Sequence, residues 1–152
     1  MAIKNYRQPD TIDFYLKDIY RNMHYGIDKH LKDYDVTNVQ GRLLGMIYGA
    51  NRHGIKITRK YLEEKTGISG PSVTSLLDSL ERKGYIKRSV NDEDARALSI
   101  TVTEPGETLI NKIHGIFRAS EAKVTEGMTS EEKKTFKTLL KKAHRNITDK
   151  NK

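Results

Sequence analysis

The sequence predicts a mainly α-helical protein with one small β-hairpin. Apolar residues recur at steps of three and four along most of the chain, which is the period of one face of an α-helix. Two short segments near residues 85–102 are instead rich in β-branched residues and alternate roughly between apolar and polar, which favours strands. No Gly, Ser or Pro linker divides the chain, so a single domain over residues 1–152 is expected.

Composition narrows the class of protein. The chain has 152 residues, no cysteine and a formal net charge of +8. The missing cysteine excludes a disulfide scaffold, a thiolate zinc site and a cysteine nucleophile. No stretch approaches the roughly 20 apolar residues of a membrane span, and the N-terminus lacks the apolar core of a signal peptide. We therefore expect a cytoplasmic protein, and the basic balance favours nucleic acid or another anionic partner.

Two helices are predicted in the first third of the chain. The first covers about residues 10–33, and the second begins after a cap at Thr37 and ends near Asn51. Apolar stripes define both helices, with Ile12, Tyr15, Leu16, Ile19, Met23, Ile27 and Leu31 in the first and Leu43, Leu44, Ile47 and Tyr48 in the second.

A short helix and a second helix follow, joined by a tight turn. Thr58 caps the first of them, which ends at Gly67 because glycine accepts the left-handed backbone. Ser69 is the expected N-cap of the next helix, which continues to about Lys83 and ends at Gly84. Its inward stripe is Val73, Leu76, Leu77 and Leu80, and the opposite face carries Pro71, Ser75, Asp78, Ser79 and Arg82, flanked by Ser72 and Thr74.

The chain ends in a hairpin and two more helices. The strands are predicted at residues 85–90 and 97–102, with a polar tip between them. A fifth helix covers about residues 104–126, and a capping box at Thr129 begins the sixth. Their stripes are Leu109, Ile113, Ile116, Phe117 and Val124 in the fifth helix and Phe136, Leu139, Leu140, Ala143 and Ile147 in the sixth.

This order of elements is that of a winged helix–turn–helix. The second helix of the pair begins with small residues, so its backbone can approach base edges and phosphates, with the positive end of its dipole toward the DNA. A long cation at the hairpin tip, here Arg96, can reach the negative minor groove beside it.

The same residues resemble the MarR family of bacterial transcription regulators, which are dimeric winged-helix proteins. The matching segments are ISGPSVTSLL (68–77), LERKGYIKR (80–88), DEDARA (92–97) and VTEPG (102–106). Residues 35–41 and 70–73 are similar to the branch that includes repressors of multidrug efflux pumps. Asp78 departs from the pattern, since many relatives have a basic residue there, and the missing cysteine excludes the oxidation-sensing branch.

The resemblance implies a role for each matching residue in sequence-specific binding to double-stranded DNA. Arg82 and Arg88 would hold phosphates, Arg96 would enter the minor groove, and Asp94 would orient Arg96 by a charge-assisted hydrogen bond. The major-groove residues would be Ser69, Gly70, Pro71, Ser72, Thr74 and Ser75.

The resemblance also implies a division of the chain and a ligand. Residues 1–36 and 104–147, approximately, would form the dimerisation region, and residues 37–103 the winged helix–turn–helix. A cleft between them, lined by Tyr15, Met23, Met46 and Tyr48, would take a small aromatic effector that releases a repressor from its operator. The tyrosines have a second interpretation, in which they are half-buried at the dimer interface.

Other functions are weighed against this one. His24 and Asp28 share a helix face, but no second histidine stands at metal-ligand spacing, so no metal or other cofactor is expected. Residues 67–70 match the G-x-x-G loop of KH domains without the strands such a domain needs. No catalytic motif is present, so we expect no enzyme. The remaining alternative is a protein-interaction module on a winged-helix scaffold.

Overall fold

The computed structural model describes residues 9–90 and 98–149. The helices are α1 (Ile12–Leu31), α2 (Asn38–Arg52), α3 (Arg59–Thr66), α4 (Gly70–Arg82), α5 (Glu104–Val124) and α6 (Ser130–Thr148), with a 3₁₀ turn at Lys32–Tyr34. Strands β1 (Ile86–Val90) and β2 (Leu98–Val102) form an antiparallel pair in which Ile86 lies opposite Val102 and Arg88 opposite Ile100. The predicted fold class, mainly helical with one hairpin, is confirmed.

Threonine caps most of the helices. The hydroxyl groups of five threonines each accept a first-turn backbone N–H at 3.0–3.3 Å, and these residues are Thr11, Thr37, Thr58, Thr103 and Thr129. At Thr37 and Thr129 the third helical residue also bonds back to the cap, which completes a capping box. The predicted starts of the second, third and sixth helices are therefore confirmed.

Two helix ends differ from the prediction. The α-helical part of the first helix stops at Leu31 and tightens into the 3₁₀ turn, which ends where Asp35 adopts a left-handed backbone with φ of 52°. The fifth helix ends at Val124 rather than at residue 126, in a short turn before Gly127, whose φ is +79°.

The core lies in the middle of the chain, between the last turn of α1 and the first half of α5. Its buried side chains are Ile27, Leu31, Val36, Leu43, Leu44, Ile47, Ala50, Ile57, Leu62, Val73, Leu77, Leu80, Ile86, Ile100, Leu109 and Ile113. The inward stripe predicted for α4 is thus confirmed, with Leu76 only partly buried. No residue of α6 is buried.

Gly106 joins the hairpin to the terminal helices. A Cβ atom at this position would lie 2.3 Å from the carbonyl oxygen of Tyr85 and 2.7 Å from Cγ1 of Val102. The Thr103 hydroxyl donates to the carbonyl of Gly84, and the Thr103 N–H donates to that of Tyr85 at 3.0 Å. The start of α5 is therefore held directly against the beginning of β1, at a distance that only glycine permits.

The stripes of α1 and α6 are largely exposed. The exposed fraction is 80% for Ile12, 52% for Leu16, 58% for Leu139 and 75% for Ile147. Only the C-terminal end of the α1 stripe, Ile27 and Leu31, enters the core. Within the described residues, no helix is both long and apolar enough to cross a membrane.

Candidate nucleic-acid interface

The α3–α4 pair is a helix–turn–helix. Gly67 ends α3 with φ of +67°, and its N–H donates to the carbonyl of Glu63 at 2.8 Å. Three residues later, at Gly70, α4 begins, so the turn is as short as the sequence predicts. The N–H of Ile68 donates to the Thr66 hydroxyl at 3.2 Å, which fixes the direction of the turn.

The first two turns of α4 present small groups to the surface. The exposed residues are Ser69, Pro71, Ser72 and Ser75, while Gly70 and Thr74 are half-buried. The hydroxyl of Thr74 donates to the carbonyl of Gly70 at 3.1 Å, and that of Ser75 to the carbonyl of Pro71 at 3.2 Å. These hydroxyl groups therefore lie against the preceding turn of α4, so that only small groups project from this part of the helix and the helix is thin there.

Ser69 occupies the predicted N-cap position but does not cap with its side chain. Its hydroxyl donates to Oγ of Ser72 at 3.1 Å, and among the residues that the structure describes no side chain bonds to the N–H groups of the first turn of α4. This differs from the five threonine caps elsewhere. The first turn of α4 thus has donors that an external anion can use.

Two contacts attach the inner side of α4 to the beginning of α2. Nε2 of Gln40 donates to Oγ of Ser79 at 3.0 Å, while Oε1 of Gln40 accepts the N–H of Thr37 at 3.1 Å. Nζ of Lys83 donates to the backbone carbonyl of Asp35 and lies 3.5 Å from its carboxylate. Ser79, predicted on the outer face, is half-buried because Gln40 holds it.

The two predicted phosphate ligands are placed differently. Arg82 is exposed, and no ion pair joins it to another described residue. Arg88 is only 28% exposed and is bound by Glu81 and Asp78. Its Nη2 lies 2.6 Å from Oε2 of Glu81 and 2.6 Å from Oδ1 of Asp78, and its Nε lies 2.9 Å from Oε2 of Glu81. Hydrogen bonds from Arg88 hold the pKa of Glu81 below its ordinary value, and those bonds raise the pKa of Arg88.

The hairpin is attached to the helices on its other strand as well. Nδ2 of Asn51 donates to the carbonyl of Ile100 at 2.8 Å, and Oδ1 of Asn51 accepts the N–H of Val102 at 3.2 Å. An amide side chain therefore pairs with the edge of β2 as a further strand would. Asp94 and Arg96, predicted at the wing tip, lie outside the described residues.

A cavity of about 710 Å³ lies between the first helix and the helix–turn–helix. Of the four residues predicted to line an effector cleft, Met23 and Met46 line this cavity, whereas Tyr15 and Tyr48 do not. The hydroxyl of Tyr15 donates to Asp10 at 3.0 Å, and Tyr48 accepts from Nη1 of Arg52 at 3.2 Å. Both rings are therefore held outside the cavity by residues near in sequence, Tyr15 by Asp10 just before α1 and Tyr48 by Arg52 within α2.

Sequence reasoning missed the basic side chains and the aromatic ring of this cavity. Its walls include Arg42, Lys65, His24 and His114, and the guanidinium of Arg42 stands 5.1 Å from the ring centre of Phe117. Burial and the charge of Arg42 lower the pKa of His24, against an opposing effect of Asp28. A clue to Phe117 was its place in the fifth stripe, next to the buried positions.

No metal site is found in the parts of the chain that the structure describes, since no three or more His, Asp or Glu residues converge there. His24 instead stacks against Tyr20, with ring centres 3.9 Å apart.

A helix–turn–helix with an exposed, thin second helix and an attached hairpin defines a winged-helix DNA-binding protein. Comparison with known proteins agrees with this class. Residues 34–97 match the family model described as "MarR family". The HTH-type transcriptional regulator YwhA of Bacillus subtilis is 37% identical over 115 residues, which cover 70% of this chain and 74% of YwhA. The chain therefore belongs to the MarR family of transcription regulators.

Two solved structures of one relative differ in how well they match. The MepR–DNA complex of Staphylococcus aureus is 29% identical, with a TM-score of 0.82 over 93% of this chain and 100% of MepR. Another structure of MepR, described as a regulator of the multidrug efflux pump MepA, is 28% identical, with a TM-score of 0.67 over 91% and 99%. The arrangement of the helices here is closer to that of MepR in its DNA complex.

Proposed function

We propose that the chain acts as a homodimeric repressor that binds a pseudo-palindromic operator and leaves it when a small aromatic ligand binds. The observation that carries the proposal is the thin, exposed start of α4, whose first turn lacks a side-chain cap. A helix of this kind fits the major groove, and its free N–H groups suit a phosphate. The higher similarity to MepR in its DNA complex supports a DNA-competent arrangement.

The exposed stripes support the dimer. Helices α1 and α6 place large apolar side chains on the surface of the isolated chain, among them Ile12, Leu16, Leu139 and Ile147. Large apolar side chains exposed together along a helix face are typical of an interface. In this proposal residues 1–36 and 104–147 form the dimerisation region, and residues 37–103 form the DNA-binding part.

The DNA contacts follow from the exposed residues of α4 and from the wing. The residues from Ser69 to Ser75 enter the major groove, and Arg82 binds a phosphate. At the wing, Arg96 enters the minor groove and Asp94 orients it. A dimer with two such recognition helices requires two DNA half-sites about 34–36 Å apart, which is one turn of the double helix.

The cavity supports a ligand of defined charge. Methionine and phenylalanine side chains give it an apolar wall, and Arg42 and Lys65 give it a positive one. No aspartate or glutamate is among its described lining residues. An aromatic acid complements both walls, because its ring packs on Phe117 and Met46 while its carboxylate meets the cations.

We further propose that the protein is cytoplasmic and is not an enzyme. A protein that binds chromosomal DNA in a bacterium has to be in the cytoplasm. The proposal that it is not an enzyme is supported by its relatives, which are transcription regulators.

Titration against DNA tests the proposed function. The wild-type protein is first used to select bound duplexes from a random pool, and the enriched duplex is then compared with a scrambled one at two salt concentrations. Tight binding of one dimer to the enriched duplex is expected, with an affinity that falls steeply as salt is raised. Equal, weak binding to both duplexes would contradict sequence-specific recognition.

Arg96→Ala separates a DNA reader from an interaction module. A reader loses affinity for the enriched duplex while its fold and thermal unfolding are unchanged, whereas a module that binds protein retains its partner.

The charge of the ligand is tested with three probes of nearly equal shape: benzoate, benzamide and benzamidine. Benzoate is expected to release the duplex at the lowest concentration, and Arg42→Gln should remove that preference. Release by benzamidine alone would overturn the assignment of an acid.

A further inference from the structure

The junction between α4 and β1 contains one cation held by two anions. Asp78 and Glu81 are three residues apart on α4, so their carboxylates lie on the same face of the helix, and Arg88 reaches both from β1. The backbone N–H of Arg88 also donates to Oε1 of Glu81 at 2.9 Å. Glu81 therefore uses one oxygen for the peptide and the other for the guanidinium.

The charges of this group argue against a phosphate site. One guanidinium and two carboxylates sum to −1, so the group as a whole does not attract a phosphate. Both hydrogens of Nη2 and that of Nε are already donated to carboxylates. A phosphate would have to bind the remaining Nη1 while standing close to Asp78, whose side chain is half exposed.

The position of the group indicates what it does instead. On the β2 side, Asn51 attaches the hairpin to α2. On the β1 side, Arg88 attaches the hairpin to α4 through both its main chain and its side chain. Side-chain hydrogen bonds thus hold both strands of the wing, and those on β1 come from α4, the proposed recognition helix.

We propose that Arg88 is a positioning residue and not a phosphate ligand. Together with Glu81 and Asp78 it fixes the angle between α4 and the wing, so that both meet the DNA in register, and it neutralises the carboxylate that Asp78 places near the groove. The inference rests on the proposed DNA-binding function, and it changes the role that family resemblance assigns to Arg88.

Salt dependence separates the two roles. Each phosphate contact contributes about one unit to the slope of log affinity against log salt. Arg82→Ala, on the exposed side of α4, is the matched control and should reduce that slope by about two units, because each protomer of the dimer contributes one Arg82. Arg88→Ala should lower affinity for the enriched duplex by about tenfold or more at every salt concentration, with the slope unchanged. A slope reduced as in Arg82→Ala would overturn the proposal.

Two near-isosteric variants test the geometry without large changes in folding. Arg88→Lys keeps the charge but loses the planar guanidinium that donates to two carboxylates at once. This variant should therefore bind the duplex as weakly as Arg88→Ala, whereas a phosphate ligand would tolerate lysine. Glu81→Gln removes a negative charge but cannot accept from both the peptide and the guanidinium, so it should weaken binding. If Arg88 were a phosphate ligand, Glu81→Gln would free it and tighten binding, which would overturn the proposal.

A measurement without DNA keeps the two hypotheses apart. Failure of the wild-type protein to enrich any duplex would contradict the proposed function alone. Hydrogen exchange at the Arg88 amide reports the junction directly, and in Glu81→Ala it should be about tenfold faster than in wild type. The reference is the amide of Val102 on β2, which donates to Oδ1 of Asn51. An unchanged rate at Arg88 would overturn the proposed junction whether or not DNA binds.

Discussion

The winged helix–turn–helix and the terminal helices differ in where they bury their apolar side chains. Between residues 37 and 103 the stripes of α2 and α4 meet each other and the hairpin, so that Leu44, Leu80 and Ile86 are almost fully buried within one chain. Helices α1 and α6 have equally regular stripes, yet Leu16 and Leu139 remain more than half exposed. The first region is covered within one chain, where α1 and α5 add Ile27, Leu31, Leu109 and Ile113 to its core. The exposed parts of the α1 and α6 stripes are covered only if another surface packs on them.

The difference teaches how a regular stripe should be interpreted. Periodicity shows that a helix has an apolar face, but not whether that face is covered within the chain. Burial of a leucine contributes about 1.5–3 kcal/mol. A second copy that covers α1 and α6 would therefore add substantially to the stability of these helices.

The largest expected effect follows from a charge placed on the α1 and α6 stripes. The double variant Leu16→Glu/Leu140→Glu should convert the dimer to a monomer, because two carboxylates per chain would otherwise be buried. Loss of the second DNA-binding protomer should lower the affinity for a duplex with two half-sites by a factor of about 10²–10⁴. Sedimentation measures the first effect and a gel shift the second.

The matched control is Thr138→Glu, on the opposite face of α6. It adds a charge to an exposed position and should remain a dimer with unchanged affinity. A double variant that still sediments as a dimer would place the interface elsewhere.

Next in size is the contrast between one leucine from each region. Leu80→Ala should lower the free energy of unfolding by about 2–5 kcal/mol, since Leu80 is fully buried. Leu139→Ala should also destabilise the protein, although Leu139 is 58% exposed in the single chain. Urea unfolding at two protein concentrations tests the reason, because a cost that arises at the interface is coupled to dimerisation. A Leu139→Ala variant as stable as wild type would show that its face is solvent-exposed.

Two glycine-to-alanine substitutions should change stability by smaller amounts and in opposite directions. Gly106 lies where α5 meets β1, and Gly49 lies inside α2. Gly106→Ala should destabilise by about 1–3 kcal/mol, because its Cβ would meet the backbone carbonyl of Tyr85 at 2.3 Å. Gly49→Ala, inside α2 with nothing within 4 Å of its Cβ, should stabilise by up to about 1 kcal/mol through helix propensity. Thermal unfolding measures both, and equal shifts at the two positions would contradict the close approach of α5 to β1.

Much of this fold could be predicted from the sequence because the helix ends have strong local signals. Threonine caps and the glycines at 67, 84 and 127 determine the boundaries by interactions within a few residues. The burial of α4 could be predicted for a similar reason, since its stripe is continuous. Ser69 shows the limit, because a good capping residue bonds to Ser72 instead.

The site could be predicted only in part, because its decisive contacts join residues far apart in sequence. Nothing local indicates that Gln40 holds Ser79, or that Arg42 stands over Phe117. Tyr15 and Tyr48 carry the aromatic character expected of a ligand cleft, but contacts one turn away hold their rings outside it. The departure noted at Asp78 acquires a physical reason from its bond to Arg88.

The smallest expected effect concerns pH and lies entirely within the winged helix–turn–helix. The bonds from Arg88 lower the pKa of Glu81 in the folded protein, so folding favours the ionised carboxylate. This stabilisation is fully present above the pKa of Glu81 in the unfolded chain and is lost as pH falls through its lower folded value. The difference in melting temperature between wild type and Glu81→Gln should therefore be largest near neutral pH and should shrink in acid. Because the group is near the surface, added salt should reduce the difference as well. A difference independent of pH would mean that Glu81 acts through shape and not through its charge.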